Sequence, residues 1–468
     1  MSSRDEDSDI TERAANRKAH GIHMPPRAGM STPTSSFGGA RGDREISAYV
    51  QKLNESKNDT KSQVECLSKL RSLLQQKVQK QQQVTELGKL MGPSVVDVMR
   101  SHPEKEELIE ECTCILYLLS ILDPTFKKGV ARLFKAMEDH TDNVAIQRAA
   151  CAAIRRVVSK NPDAIPRIVP SVGVILRSMT EHAGNAKFLC SALEVLAIIA
   201  SNIPAKPIFV YRDGALNQVL AAMKKFPNDV SIQATGLRTL SNLSYGSGED
   251  ILDSFGPTVT LIIRAMKRHI MHNKVQLYGC CTLHYIAETY NKSITEAWGI
   301  PTILQAMKEY AHDIMLQEQG CSALAVILKE KIDEDLSAFL NDEGLATILR
   351  AMMQSPNNIE MQKQGLKILN SLKTKDNYEL MLSAGGLDVI ISNMNSFDYQ
   401  VDISVLCCEI LKNFTRMSLD FQRAVSAKGK IQGRICNFCG YLFWFLNLEL
   451  FLIIFGNCIK TICFEYCC

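Results

Sequence analysis

Apolar side chains in this 468-residue chain recur with a helical period, and the same pattern returns about every 43 residues. Each copy starts at a position that we call the anchor. A small residue follows three positions later, an aliphatic residue seven later and another apolar residue ten later, a spacing that lies along one face of an α-helix. The anchors are Gln63, Glu111, Gln147, Leu189, Gln233, Gln276, Gln317, Gln362 and Ser404. The pattern predicts one long helix per unit, with a small residue where another helix approaches closely.

A second helix is predicted before each anchor. A methionine lies ten residues before seven successive anchors, and a glycine lies six to ten residues before each methionine. Glycine there suits a sharp bend between a short first helix and the second helix. The methionines are Met137, Met179, Met223, Met266, Met307, Met352 and Met394, and the glycines are Gly129, Gly173, Gly214, Gly256, Gly299, Gly344 and Gly386. Three-helix units of this kind must stack on one another to bury their apolar faces.

Two stretches resemble armadillo repeats. They are "DGALNQVLAAMKKFPNDVSIQATGLRTLSNLS", from Asp213 to Ser244, and "NDEGLATILRAMMQSPNNIEMQKQGLKILNSL", from Asn341 to Leu372. The Ala-Met and Gln-x-x-Gly-Cys patterns are similar to variant repeats of certain multidomain kinases and of small armadillo proteins. The resemblance covers roughly residues 45–429 and implies an all-α fold, a right-handed α-solenoid of the armadillo type. It says little about function, because members of the family serve as transport receptors, signalling scaffolds and cytoskeletal adaptors.

In the resembling family the third helices line a concave groove, where nuclear-import receptors carry a Trp-x-x-x-Asn pattern. In this chain the Trp position, five after the anchor, never holds tryptophan, and the Asn position, nine after it, holds asparagine in two units. The sequence therefore argues against the import-receptor mechanism. A weaker groove remains, expected to hold an extended or helical protein segment of acidic character, unless its residues are merely exposed. The candidate groove residues are Arg238, Asn242, Tyr278, Tyr285, Lys367 and Asn413.

No catalytic, metal-binding or cofactor-binding residue is predicted. The sequence has no Gly-rich phosphate loop, no His-Glu-x-x-His motif and no nucleophile elbow. Adjacent helical side chains point about 100° apart, so Cys280–Cys281 and Cys407–Cys408 favour core packing over chelation. Cys436-x-x-Cys439 has zinc-knuckle spacing, but the nearest further cysteines sit in an apolar run. We therefore predict a protein that is not an enzyme.

The recurring polar and methionine positions have structural interpretations. We interpret the methionines as core packing rather than as a metal-binding row. The anchor glutamines are expected to bridge backbone groups between repeats rather than to bind a ligand. The histidines are expected to be isolated and solvated; they are His140, His182, His269, His272, His284 and His312.

Composition limits the compartment and the partners. The formal net charge is +3 from nearly equal numbers of acids and bases, which predicts no general attraction to nucleic acid or to membrane. A membrane is expected as a partner only if the apolar C-terminal tail is genuine. The charged N-terminal stretch lacks the apolar segment of a secretory signal, and Ser2 stands where myristoylation needs glycine. Most of the 16 cysteines are scattered along helical segments, as in reduced cytosolic proteins. A cytoplasmic location follows as the prediction.

The chain divides into five predicted segments. Residues 1–44 are rich in polar residues, glycine and proline, and are predicted to be a disordered arm. Residues 45–122 are expected to be atypical capping repeats, and residues 123–416 the regular solenoid. Residues 417–429 begin a further unit, because "DFQRAVSAKG" parallels "NYELMLSAGG". Residues 430–468 then form an apolar tail rich in cysteine and phenylalanine.

Three hypotheses account for this tail. The abrupt break in the pattern after Gly429 suggests that the gene model runs past an exon end into non-coding sequence. Alternatively, Ile435–Ile459 is long enough to span a bilayer of ~30 Å, with Cys467 and Cys468 as acylation candidates, although Glu449 lies near its middle. A buried capping helix is the third possibility. Transcript sequencing across codon 429 distinguishes the first hypothesis from the others.

The favoured function is a non-enzymatic scaffold or adaptor, monomeric or part of a larger complex, that binds another protein in its groove. The alternative is a membrane-tethered adaptor anchored by the C-terminal tail.

Overall fold

The computed structural model describes residues 39–82, 85–122, 129–202, 214–329, 333–341, 343–397 and 400–417. Residues 1–38, the partial unit after Met417 and the apolar tail lie outside these ranges, as do the hypotheses that concern them. By its contacts the chain divides into residues 1–48 and residues 49–468. The first described helix is Gly39–Glu55, so helix begins inside the stretch predicted as a disordered arm. Ile46, Val50 and Leu53 are buried at helical spacing in this helix, which extends from them toward the N-terminus as far as Gly39.

The third helices form one continuous layer, because each contacts the third helix of the next unit. Several begin at an Asp or Asn whose side chain accepts backbone N–H groups of the first turn, which fixes the start four residues before the anchor. The third helices are Thr60–Gln79, Glu106–Leu122, Val144–Lys160, Ala186–Ala200, Val230–Ser244, Asn273–Glu296, Ile314–Ile327, Ile359–Ser371 and Val401–Met417. Non-helical φ/ψ at Tyr290 mark a kink in the longest of them.

The second helices pack against the third helices of their own units and, in most neighbouring pairs, against one another. They are Thr85–Ser101, Val130–Asp139, Val172–Glu181, Ala215–Lys225, Val259–Arg268, Gly299–Glu309, Gly344–Gln354 and Gly386–Ser396. The short first helices are Ile165–Ile168, Glu249–Leu252, Asp333–Asn341 and Lys375–Ser383, and 3-10 turns span Pro162–Ala164, Val169–Ser171 and Asp253–Thr258. Throughout the described ranges, all regular secondary structure is helical.

Methionine and glycine interlock between the second and third helices of four units. A Cβ atom built on Gly236 would lie 2.6 Å from Met223, and one on Gly365 would lie 2.4 Å from the Sδ atom of Met352. The pairs Gly279–Met266 and Gly320–Met307 repeat this geometry. The small residue therefore makes room for the methionine ten residues before the anchor. This confirms the interpretation of the column as core packing for six of its seven members, which are buried.

The structure corrects the repeat register at two places. Met394 is half-buried, because the preceding Asn393 faces the core and donates to the Oε1 atom of Gln362 at 2.7 Å. In the second unit the sequence assigned the anchor to Glu111, but the backbone N–H that closes the first turn belongs to Ile109. The positions three, seven and ten after Ile109 are Cys112, Leu116 and Leu119, which are all buried, whereas Cys114 and Ile121 of the predicted register are half-buried. Because this helix is apolar at almost every position, its sequence fits both registers, and packing against the neighbouring helices determines which one forms.

In five units the bend before the second helix is made by one left-handed residue, whereas Val172–Glu181 and Val259–Arg268 follow a right-handed residue. The left-handed residue is glycine at Gly129, Gly214 and Gly385, with φ values of 90, 70 and 80°. Trp298 and Glu343 occupy the position in two further units, with φ values of 68 and 57°. The glycines that follow them, Gly299 and Gly344, are needed for close approach, since a Cβ atom there would meet backbone or side-chain atoms of the preceding helix.

Gly214→Ala is expected to lower the free energy of unfolding by about 1–2 kcal/mol, because alanine is strained at a left-handed φ. No atom lies within 4 Å of the added Cβ, so any loss reports backbone strain alone. Gly184→Ala is the matched control, since its Cβ also meets open space and its φ is not positive. Urea denaturation of both variants measures the difference, and equal midpoints would contradict the assignment of the bend.

Candidate partner-binding groove

The third helices present a row of half-buried and exposed side chains five and nine residues after most anchors, although Ser322 and the two residues of the second unit are buried. Five of the six predicted groove residues belong to this row, and Tyr278 lies two residues after its anchor. Lys367 is exposed, whereas the other five are half-buried. The structure therefore places the predicted residues on the third-helix layer. It does not bring all six together, because they are spread over successive units.

Both asparagines of the predicted groove take part in bonds within the fold. Asn242 donates its Nδ2–H to the carbonyl oxygen of Ala197 in the preceding unit, at 2.8 Å. Burial raises the pKa of Tyr378 to about 12, and a hydrogen bond with Asn413 partly offsets this rise. Asn242 thus helps to hold adjacent units together, and Asn413 holds the last unit to its first helix.

An aromatic cluster lies where the third helices of two adjacent units meet. The rings of Tyr245 and Tyr285 are 5.2 Å apart between centroids, and the ring of His284 is 4.9 Å from that of Tyr285. Tyr245 is 36 % exposed, so part of the cluster faces solvent. Burial raises the pKa of Tyr285, which keeps its hydroxyl protonated and available to donate or accept.

Sequence reasoning missed Tyr245 and His284. Burial lowers the pKa of His284, an effect that the hydrogen-bonding Gln319, 3.0 Å from the Nδ1 atom, partly opposes. Glu318, Glu360 and Lys367 also act on His284 electrostatically, so the groove carries both signs of charge here. The residue twelve positions after the anchor is exposed in several units, and in the unit anchored at Gln233 that residue is Tyr245. Comparing this position across the units would have identified Tyr245.

Other polar side chains of the third helices pair across neighbouring units. Arg155 and Glu194 form an ion pair with 3.1 Å between Nε and Oε2. Asn370 donates to Glu409 at 3.0 Å, and Lys363 pairs with Asp402. Such exposed or half-exposed pairs contribute little stability individually. They do fix the register between units and leave the aromatic cluster as the part of the layer rich in apolar surface.

The anchor glutamines bond within their own units, whereas bridging between repeats was predicted. In five units the Nε2 group donates to two carbonyl oxygens at the end of the second helix, such as those of Met223 and Phe226 at 2.8 and 2.9 Å from Gln233. The other four are Gln147, Gln276, Gln317 and Gln362. A link to the next unit exists at two of them, where Oε1 accepts from Ser178 or Asn393. The helix terminus leaves these carbonyls without helical partners, which explains the recurring amide.

Four histidines connect one unit to the unit before it. The prediction of isolated, solvated rings is wrong for three of them, His140, His182 and His269, and also for His284 in the aromatic cluster. The Nε2 atom of His140 lies 2.8 Å from the carbonyl oxygen of Pro103, and that of His182 lies 2.6 Å from Thr141. His102 and His269 repeat the contact with Lys57 and Pro227, and the hydroxyl of Tyr310 replaces it with Ile270. In these five units the ring at the end of the second helix therefore joins it to the turn of the preceding unit.

The cysteines of the described ranges are free thiols. Burial raises the pKa of Cys281 to about 12 and that of Cys190 to about 11, so both stay protonated and unreactive near neutral pH. Across those ranges no group of three His, Cys, Asp or Glu side chains is placed to hold a metal ion. A membrane-spanning candidate, meaning a helix of sufficient length and apolarity, is also absent from them.

Comparisons with known proteins agree with this architecture. A family model described as "LRRK2 ARM repeat" matches residues 299–425. A crystal structure of an engineered protein matches with a TM-score of 0.64 and 18 % identity over 82 % of this chain and 92 % of its own. A structure from work on a phosphorylation switch that controls the interaction between cadherin and beta-catenin matches with a TM-score of 0.59 and 11 % identity, over 85 % of this chain and 82 % of its own.

The fold defines the class: the chain has an armadillo-type repeat fold, and its residues 299–425 match an armadillo-repeat family model. The predicted fold class, an all-α right-handed α-solenoid, is confirmed for the repeats. At these identities the matches to solved structures show the fold alone, and function has to be argued from the surface of this chain.

Proposed function

We propose that the protein is a non-enzymatic, cytoplasmic scaffold or adaptor that holds a segment of another protein against its third-helix layer. The observation that carries this proposal is the aromatic cluster of Tyr245, His284 and Tyr285, which stays partly exposed in a layer otherwise occupied by bonds between units. Tyrosine provides large contact area together with a polar hydroxyl, the combination enriched in protein-binding surfaces.

The charged residues beside the cluster specify the kind of segment. Arg238 lies one unit before Tyr285 on the same row, and Lys367 lies two units after it and is exposed. Because Glu318 and Glu360 are also close to His284, the partner segment is expected to carry an acidic residue toward each end and a neutral, apolar centre. An extended segment or a single helix can follow the layer from unit to unit.

Site-specific photo-crosslinking tests the groove. A photoreactive phenylalanine analogue at Tyr245 is expected to capture a partner in cells, whereas the same group at Arg350, exposed on a second helix, is expected not to capture it. The captured protein is identified by mass spectrometry and its segment is synthesised. Equal capture at both positions would show that the partner does not select the groove.

The charge reversal Arg238→Glu with Lys367→Glu is expected to weaken binding of that synthetic segment by about ten-fold or more, since each lost rim pair contributes up to about 1 kcal/mol. The matched control is Arg350→Glu with Lys373→Glu, two exposed residues off the cluster. Isothermal titration gives the affinities, and circular dichroism checks that helix content is unchanged. Unaltered affinity in the groove variant would place the site on another face.

The alternative, a tail-anchored adaptor, rests on the apolar sequence Ile435–Ile459, which lies outside the described residues. Cell fractionation with and without residues 430–468 distinguishes the two. Membrane association lost on removal of the tail would favour the anchor, whereas unchanged cytosolic recovery of both forms would favour the untethered scaffold.

A further inference from the structure

A cluster of basic side chains covers two adjacent second helices, away from the groove. Lys224 and Lys225 end the helix Ala215–Lys225, and Arg264, Lys267 and Arg268 lie in the last two turns of Val259–Arg268. We call these five residues the basic patch; all five are exposed. The bond between His269 and the carbonyl oxygen of Pro227, 2.8 Å long, holds the two helix ends side by side. The patch therefore spans the C-terminal ends of two neighbouring second helices.

Among the described residues no ion pair neutralises this patch. Across the described ranges none of the five cations forms an ion pair or a hydrogen bond through its side chain, although Lys308 of the next unit pairs with Glu343 at 3.4 Å. Arg264 and Arg268 lie one turn apart, a spacing at which like charges repel. Repulsion between these cations therefore lowers the stability of the fold, and no ion pair of the patch offsets it among the described residues.

The helix dipole does not account for the patch either. Cations are favoured at any helix C-terminus. Yet the second helices Val130–Asp139, Val172–Glu181, Gly344–Gln354 and Gly386–Ser396 have no basic residue in the last turn, and two of them end in an acid. If the dipole were the reason, the cations would recur with the repeat. A single cation also lies in the last turn of Thr85–Ser101 (Arg100) and of Gly299–Glu309 (Lys308), but among the described second helices two cations occur there only in Ala215–Lys225 and Val259–Arg268. This doubling in two adjacent units points to a partner of those units.

An exposed tryptophan adjoins the patch. The Nζ atom of Lys267 lies 6.0 Å from the centroid of the Trp298 ring, which is 67 % exposed. Trp298 adopts a left-handed φ of 68° at the position that other units fill with glycine. A large aromatic side chain is thus held outward at a strained backbone position, and strain of this kind is often found at binding sites. Met271, in the turn after Arg268, is also exposed.

We propose that the basic patch and Trp298 form a peripheral membrane-docking surface that binds anionic phospholipid. Lysine and arginine are attracted to the negative surface of the cytoplasmic leaflet, and indole rings prefer the boundary between headgroups and acyl chains. Both features occur here on one exposed surface. An acidic protein segment would also be attracted to the cations, but it would not require a fully outward aromatic ring. Docking is reversible and independent of the partner groove, which stays accessible on the third-helix layer.

Vesicle co-sedimentation of the full chain tests the proposal. Binding is expected to phosphatidylcholine vesicles that contain phosphatidylserine and to be absent with phosphatidylcholine alone, and it should weaken steeply as salt is raised. The variant Lys224→Glu, Lys225→Glu, Arg264→Glu and Arg268→Glu is expected to bind at least about a hundred-fold more weakly. The matched control carries Lys61→Glu, Lys69→Glu, Lys105→Glu and Lys187→Glu, the same change in net charge spread over other exposed positions.

Trp298→Gly provides an independent variant, because glycine relieves the left-handed strain and so removes the ring without unfolding the bend. It is expected to retain the thermal stability of the wild type and to bind vesicles several-fold more weakly. In a Trp444→Phe background Trp298 is the one remaining tryptophan of the chain, and its emission should shift to the blue on vesicle binding.

The outcomes separate cleanly. Loss in the patch variant with retention in the control supports the proposal. Equal loss of vesicle binding in both variants would mean that only net charge matters, and it would overturn the proposal. Vesicle binding that survives the patch substitutions and high salt would assign membrane contact to the apolar tail and would overturn the proposal too. Capture of a polyglutamate peptide without vesicle binding would assign the patch to an acidic protein segment instead and would also overturn the membrane proposal.

Discussion

Replacing Gln233 with leucine is expected to lower the free energy of unfolding by about 2–4 kcal/mol. The amide of Gln233 is buried and donates to the carbonyl oxygens of Met223 and Phe226. Leucine fills the same space but leaves both carbonyls buried without a donor at the end of the second helix. Hydrogen exchange across Ala215–Lys225 and Val230–Ser244, together with urea denaturation, measures the loss locally and globally.

Two variants control for the change in side-chain polarity. Gln305→Leu alters an exposed glutamine on a second helix and is expected to change stability by no more than about 0.5 kcal/mol. Leu189→Gln introduces the amide into the unit whose anchor is naturally leucine, where the carbonyl groups of Met179 and His182 occupy the acceptor positions. It is expected to cost far less than Gln233→Leu. Comparable losses in all three variants would refute the role of the amide.

Gly365→Ala is expected to destabilise the solenoid by roughly 1–3 kcal/mol, despite the higher helix propensity of alanine. The added Cβ atom would lie 2.4 Å from the Sδ atom and 2.7 Å from the Cγ atom of Met352, so the methionine must leave its place in the core. Met352→Ala alone creates a cavity and is expected to cost about 2–5 kcal/mol. Urea denaturation of each variant gives these values.

The double variant tests the contact itself. Because each substitution relieves the other, Gly365→Ala with Met352→Ala should cost less than the sum by at least about 0.5 kcal/mol. Gly173→Ala is the matched control: the residue is helical and its Cβ would meet no atom within 4 Å, so alanine should stabilise by up to about 1 kcal/mol. Additive losses, or a loss at Gly173, would contradict the interlock.

Most of the groove prediction remains to be tested. The structure shows why the sequence could predict which residues lie on the third-helix layer but not which of them already bond within the fold. Positions five and nine after the anchor follow from helix periodicity, and this placed Arg238, Tyr285 and Lys367 on the third-helix layer. Periodicity does not reveal that Asn242 already bonds to Ala197, because that carbonyl belongs to another unit. Nor does it reveal that Tyr245, one residue beyond the helix Val230–Ser244, turns its ring toward Tyr285.

The sequence alone determined what depends on spacing within one helix. The periodic apolar face, the small residue three positions after the anchor and the methionine ten positions before it are features of local spacing, and together they predicted the three-helix unit and the solenoid. A repeated pattern also averages out errors in any single copy, which is why the fold class follows from it so directly.

Only the tertiary structure decided which polar groups meet across segments. Packing of separate helices brings Gln233 to its two acceptor carbonyls and His269 to Pro227. It also imposes the left-handed bend at Trp298. The same holds for the register of the helix Glu106–Leu122, in which nearly every position is apolar and only the neighbouring helices choose the buried face. Hydrophobic spacing is encoded along the chain, whereas a hydrogen bond between distant residues is specified by the three-dimensional arrangement that brings its two atoms within reach.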